Sequence, residues 1–277
     1  MAAAAAIADA ALKARPQTRI LNHPCHAAER FELLRRLHRA GMNPVEVTRL
    51  DSGDMPTRYP LFLRHEDGCH GAETGLIQTE AEFVAALAAG RPRKRRIAVS
   101  FEAAPDADGL FRKYGAFRIG DAIIPQHILR SGDWVVKSTT GETSAAFAAE
   151  ELAFVRDNPH RTALLRATDL GGLQFGRIDY GLRDGQPVIF EVNPNPTFPN
   201  FRKTGGERGA RRGVILAQVV AAMAQIDDPE AGRARLRFVP PPETDRYIQM
   251  ARWNGLSRRL WEVRAMLARR GARRPPA

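Results

Sequence analysis

The segment FGRIDYGLRDGQPVIFEVNPN, residues 175–195, constrains this chain more than any other. Two runs of strand-forming residues, 174–180 and 187–193, flank Arg183-Asp184-Gly185, a turn signal, and so read as a β-hairpin. The second run, Val188-Ile189-Phe190-Glu191-Val192, is apolar enough for a core strand but carries a carboxylate. It stops at Asn193-Pro194-Asn195-Pro196. A buried, unpaired carboxylate is costly, so Glu191 needs a partner cation, a metal ion or an exposed edge.

The loop length decides what Glu191 faces. With the two-residue loop Asp184-Gly185, position 179 lies opposite 190, and Asp179 and Glu191 point to opposite faces. With the three-residue loop 184–186, position 179 lies opposite 191 and 177 opposite 193. Asp179, Glu191 and Asn193 then share one face, with Arg177 beside them. Facing carboxylates repel, and a divalent cation relieves the conflict. Two carboxylates and an amide oxygen suit magnesium, which commonly bridges protein carboxylates and substrate phosphates. The alternative is purely structural: Glu191 pairs with Arg177 or another arginine, and Asp179 caps a turn.

The rest of the chain alternates short strands and helices. Residues 19–22 look like a strand end, and 27–40 form a helix with Phe31, Leu34 and Leu37 at helical spacing before Gly41. Residues 43–50 alternate as a strand, which makes a small strand–helix–strand unit. Residues 60–64, PLFLR, read as a strand. Residues 79–90 read as a helix with Thr79 and Glu82 as an N-terminal cap pair. IAVSFEAA (97–104) is a strand with Glu102 near its end, and 109–130 is a hairpin turning at Gly120-Asp121. Helices are expected at 143–156 and 213–226. Beyond Asp227 a Pro-rich linker leads to a basic helix from about residue 245 to 270.

Composition sets bounds. At 277 residues, 44% of them hydrophobic, the chain can bury a sizeable core. No apolar run is long enough to span a membrane, and the Ala-rich start lacks the basic region of a secretory signal. Cys25 and Cys69 make neither a disulfide framework nor a zinc pattern and fit the cytoplasm. The net charge of +11 is carried almost wholly by Arg. It reads first as composition, with anionic ligands such as nucleotide phosphates as the alternative. No nucleic-acid partner is expected, although RPRKRR (91–96) is basic. HEDGCH (65–70) reads as a lid loop rather than a metal site, since its spacing matches no tetrahedral zinc pattern.

GGLQFGRIDYGLRDGQPVIFEVNPNP, residues 171–196, resembles the C-terminal metal-binding segment of the ATP-grasp enzymes, which places an Asp on one strand and Glu-x-Asn-Pro on the next. Other segments resemble the family in the same order. Tyr59-Pro60-Leu61-Phe62-Leu63-Arg64 is similar to its phosphate-contacting strand, with Arg64 where the family has Lys. IAVSFEAA is similar to the adenine-binding hinge strand, with Glu102 placed to hold ribose. Residues 109–137 are similar to the strand pair whose basic side chains face the phosphates, offering Lys113, Arg118, Arg130 and Lys137.

The resemblance implies an α+β ATP-grasp fold, two lobes with ATP between them. A shortened α/β unit (17–58) precedes the lobes at 59–98 and 99–226, and a linker and helical tail (227–277) follow. It implies ATP and Mg2+ as cofactors, the metal on Asp179, Glu191 and Asn193. Nucleotide contacts fall to Arg64, Glu102, Lys113, Arg118 and Lys137, and catalytic roles to Arg130 and Arg177. The implied reaction activates a small-molecule or peptide carboxylate as an acylphosphate and joins it to an amine or thiol. The alternative is a degenerate domain that binds nucleotide or a partner without ligating. The glutamate-ligase-like carboxylate–amine ligases are the branch most similar.

Overall fold

The computed structural model describes residues 19–67, 71–89, 93–137, 144–196, 198 and 206–227, with the single positions 9 and 253. Residues 18–230 form one compact unit. A second unit comprises 1–17 and 231–277, in which Asp9 and Trp253 are helical. The expected C-terminal helix, its linker and the Ala-rich start otherwise lie outside the described residues, as do Cys69 and His70 of the lid loop and residues 91–92 of the basic connector.

The elements run α1 (Arg30–Arg39), β1 (Val47–Arg49), β2 (Leu61–His65), α2 (Glu80–Ala88), β3 (Arg96–Ser100), β4 (Phe111–Ile119), β5 (Ala122–Ser131), α3 (Ala145–Asp157), α4 (Arg161–Leu170), β6 (Phe175–Arg183), β7 (Gln186–Asn193) and α5 (Gly206–Ile226). They build two antiparallel sheets, a three-stranded one in the order β1-β3-β2 and a four-stranded one in the order β5-β4-β6-β7. The α+β class expected from the sequence is the class observed.

Alternation along β2 and β3 gives the small sheet two different faces. Leu61, Leu63 and Ala98 bury themselves with Phe83 of α2. Ile97 and Val99 face the other way, into a cluster with Leu34, Val45 and Val188, against which Phe62 and Phe190 pack. That second cluster joins the two sheets. Each fully buried Leu or Phe contributes roughly 1.5–3 kcal/mol of transfer free energy. The cap of α2 forms as expected: Thr79 accepts from Glu82 N at 3.3 Å, and Glu82 reaches back to Gln78 N at 2.8 Å.

The large sheet covers one face with helices. Tyr114, Ala116, Ile178 and Tyr180 belong to the main core, together with Phe154 and Val155 of α3 and Leu164 of α4. Tyr180 Oη is 2.9 Å from His160 Nδ1, and burial pushes the phenol up and the imidazole down from their ordinary values. Pro125 and Pro187 sit on β5 and β7, the two edge strands, where a missing N–H breaks no inner ladder.

Three expectations are corrected. Residues 19–22 form no strand. Asn22 instead takes a left-handed turn at φ 52°, and its side chain pairs with the start of β6, accepting from Gln174 N (2.8 Å) and Phe175 N (2.9 Å) and donating to Phe175 O (2.7 Å). An amide side chain thus does what a strand backbone was expected to do. Helix α4 was not foreseen, because RTALLRATDL has no capping side chain to mark its start.

The third correction concerns the hairpin. Its turn is the two-residue Asp184-Gly185, both at positive φ (53° and 73°), with Arg183 opposite Gln186. A β-bulge then restores the other register: Tyr180 pairs with Ile189, but Asp179 pairs with Glu191 and Arg177 with Asn193. Phe190 is the extra residue on β7. Its ring lies over Gly181, where a Cβ would come within 2.7 Å of Cζ. Buried Asn43 donates to the Ile189 carbonyl beside the bulge at 2.9 Å. Asn43→Ala is expected to lower stability by about 1–3 kcal/mol, read from the urea midpoint, because that carbonyl is then left without its donor.

Candidate functional site

Between the two sheets lies a cleft of about 400 Å³. Its ends differ in chemistry. One end is aromatic: the Trp134 ring is 5.2 Å from Phe62 and 5.3 Å from Phe101, and Phe101 is 5.9 Å from Phe111. The other end holds Arg64, Lys113, Arg177, Asp179, Glu191 and Asn193. Strand parity explains the division on β2, where Phe62 and Arg64 share the cleft face and Leu61 and Leu63 the buried one.

The bulge makes the acidic pair. Asp179, Glu191 and Asn193 stand on one face of neighbouring strands, so their oxygens can converge. Each carboxylate is held by two cations. Arg177 Nε donates to Asp179 Oδ1 at 2.7 Å and Lys113 Nζ to Oδ2 at 3.4 Å. Arg30 and Arg64 both donate to Glu191 Oε2, at 2.7 and 3.0 Å. The structural alternative for Glu191 is thus met by two other arginines, while Asp179 caps no turn. Asn193 Oδ1 accepts from Asn195 N at 2.9 Å, which fixes the amide where the strand ends.

Four cations against two carboxylates leave this cluster with a formal charge of +2. Burial, and then Arg30 alongside, pull the Arg64 guanidinium below its ordinary value. Bringing these arginines together is unfavourable without anions between them, so the cluster suits a polyanionic ligand. Among the described residues no three His, Cys, Asp or Glu side chains converge as a metal-binding group. The donor set available to a cation is two carboxylates and one amide. That all-oxygen set fits magnesium, whose remaining ligands are ordinarily water and substrate phosphate oxygens.

The remaining expected residues divide. Lys137 lines the cleft, its Cε 3.6 Å from where a Cβ on Gly71 would stand. Glu102 also lines it, and its side chain is largely buried under Arg58, Arg183 and the Ser100 hydroxyl, which donates at 2.9 Å. Arg118 and Arg130 do not belong to the cleft. Arg118 stands five residues from Lys113 on the same strand and so faces the helices. It donates to Gly120 O (2.9 Å), Thr168 Oγ1 (2.5 Å) and Asp169 (2.6 Å). Arg130 lies under α3, paired with Glu150 at 2.9 Å and stacked 4.4 Å from the Phe147 ring centroid. Both are structural arginines.

Three residues, Trp134 of the cleft lining and two that stand beside it, escaped the sequence reading. Arg30 comes from the first residue of α1, with Nη1 also donating to the carbonyls of His65 (3.2 Å) and Glu66 (2.7 Å). Trp134 follows β5 in a segment with no periodicity. His127 lies on the cleft face of β5, beside a second bulge that makes Gln126 the extra residue. Only the alternation of PLFLR held a usable signal, and that was for Phe62.

No family model matches the chain, and no curated protein does. Among solved structures the chain is similar to D-alanine–D-alanine ligase from Bacillus anthracis, at 13% identity and TM-score 0.45, covering 73% of this chain and 68% of that one. It is similar also to L-amino acid ligase from Bacillus licheniformis (16%, TM-score 0.42, 77% and 52%) and to D-alanine–D-alanine ligase from Coxiella burnetii (14%, 0.44, 72% and 58%). At these values the likeness transfers no chemistry, and the roles of the cleft residues rest on their own geometry.

The division of the arginines is testable without any ligand. Arg118→Ala is expected to cost about 1–3 kcal/mol of stability, since it strands buried acceptors. Lys113→Ala, which removes one long contact and leaves Asp179 its Arg177 partner, is expected to cost less than Arg118→Ala. Equal losses in urea titrations of the two variants would place Arg118 wrongly.

Proposed function

We propose that the chain is an ATP-grasp enzyme, an ATP- and magnesium-dependent ligase that joins a carboxylate to an amine or thiol. The observation that carries this reading is the register of β6 and β7, which sets Asp179, Glu191 and Asn193 on one face of a cleft rich in cations. The nucleotide base lies at the aromatic end, against Phe62, Phe101 and Trp134, where ring stacking favours a planar group. Glu102 takes the ribose hydroxyls. Arg64, Lys113, Lys137 and Arg177 take the phosphates, Arg64 and Arg177 offering a fork of donors where Lys offers a point charge.

Magnesium held by Asp179, Glu191 and Asn193 supplies charge neutralisation at the phosphates. The protein's own groups do the rest by position and field. An incoming triphosphate supplies the anions that the cluster of +2 lacks. Arg64, Arg177 and Lys113 then exchange carboxylate partners for phosphate oxygens, which uncovers Asp179 and leaves Glu191 with Arg30 alone. A substrate carboxylate oxygen attacks the γ-phosphorus, and ADP leaves. The amine or thiol then attacks the acyl carbon, phosphate departs, and the nucleophile loses its proton. Small molecules or peptides are the proposed substrates. The proposed division is a short α/β unit over 17–58, lobes at 59–98 and 99–226, and a C-terminal appendage. No helix among the described residues is long and apolar enough to cross a membrane, and Cys25 is a free exposed thiol. A cytoplasmic setting, with its ATP, fits both.

A second reading, nucleotide binding without ligation, has one observation behind it: each carboxylate is already paired with two basic side chains. ATP affinity with and without magnesium, followed by ADP release over a panel of carboxylates and amines, separates the two. Under the ligase reading Glu191→Ala abolishes magnesium-dependent ADP release while circular dichroism stays that of the parent. Unchanged ADP release would falsify the metal assignment.

A further inference from the structure

The row of paired residues across the large sheet runs His127, Gly115, Asp179, Glu191, from edge strand to edge strand. The two carboxylates have their cations. Gly115 has no side chain, and a Cβ there would stand 2.6 Å from Nε2 and 2.7 Å from Cε1 of His127. The imidazole therefore lies over Gly115 and reaches across one strand spacing, about 4.8 Å, toward the strand that carries Asp179. Its Nε2 is buried and has no hydrogen-bond partner among the described residues. Leaving such an atom unpaired is unfavourable, so a fold that keeps it there gains elsewhere.

The charged groups around the ring are Asp179 and Arg177 from β6, Lys113 from β4 and Arg211 from α5. Burial pushes the imidazole down to about 4, so it is neutral near pH 7, with one N–H to donate. Asp179 now takes its hydrogen bonds from Arg177 and Lys113, the same side chains that the proposed function moves onto phosphates. Once they leave, Asp179 needs another donor to hold its orientation. A neutral N–H suits that need better than a third cation, because it orients a carboxylate oxygen without adding positive charge beside the divalent ion. Metal-binding carboxylates are commonly held by such hydrogen bonds.

We infer that His127 is a positioning residue of this site: its Nε2–H takes over as the donor to Asp179 when a nucleotide draws Arg177 and Lys113 away, and so fixes the carboxylate that shares a magnesium ion with Glu191. The inference rests on the ATP- and magnesium-binding reading above and adds a residue to it. Gly115 has a matching part, since only a residue without Cβ leaves the ring its place.

The test uses the full-length chain and the non-hydrolysable analogue adenosine 5′-(β,γ-imido)triphosphate, titrated calorimetrically with and without magnesium. His127→Leu is expected to weaken the magnesium dependence of binding by about 10-fold or more while metal-free analogue affinity stays within twofold. His127→Gln, which retains an N–H donor, recovers most of the loss. Gly115→Ala, which keeps the imidazole but occupies its place, repeats it. With 15N-labelled histidine, Nε2 of His127 is expected to shift as a donor when the analogue binds. A wild-type chain whose affinity ignores magnesium overturns the functional reading and this one with it. A wild-type chain that responds to magnesium, matched by His127→Leu, overturns this one alone.

Discussion

Two carboxylates side by side on one sheet face repel each other, and the rest of the cleft is arranged around that conflict. The bulge at Phe190 creates it by bringing Glu191 opposite Asp179. Four basic side chains from α1, β2, β4 and β6 then converge to relieve it. They overshoot, and the cluster is left with surplus positive charge. One extra residue in one strand thereby sets the sign of the whole pocket.

The bulge depends in turn on contacts distant in sequence. Phe190 can turn its ring over β6 because position 181 is glycine. The carbonyl next to it is held by Asn43, which lies 146 residues away. The N-terminal segment does more than lead into the two sheets. Asn43 secures the bulge, Asn22 secures the start of β6, and Arg30 reaches the acid that the bulge exposes.

Much of this was legible in the sequence where the signal was local. The hairpin turn, the pairing of Asp179 with Glu191, the alternation of PLFLR and the cap of α2 all follow from residues within a few positions of each other. The correct pairing came with the wrong mechanism, a three-residue loop, because a bulge in a run of apolar residues leaves no mark on its pattern. Arg118 and Arg130 were misplaced for a different reason. Both are basic residues in the right strands, and charge was weighed ahead of parity, although counting from Lys113 puts Arg118 on the far face. Arg30, Trp134 and His127 carried no local signal, since only tertiary contacts define their roles.

Arg30 holds the Glu191 carboxylate with one nitrogen and two carbonyls at the end of β2 with another. Its guanidinium is therefore a tie rod between the two sheets, fastened at one end to an acid of the cleft wall. Widening the gap between sheets and freeing that acid become a single mechanical event. Arg64 of β2 holds the same oxygen at 3.0 Å, so two arginines draw the gap closed by sharing one acid.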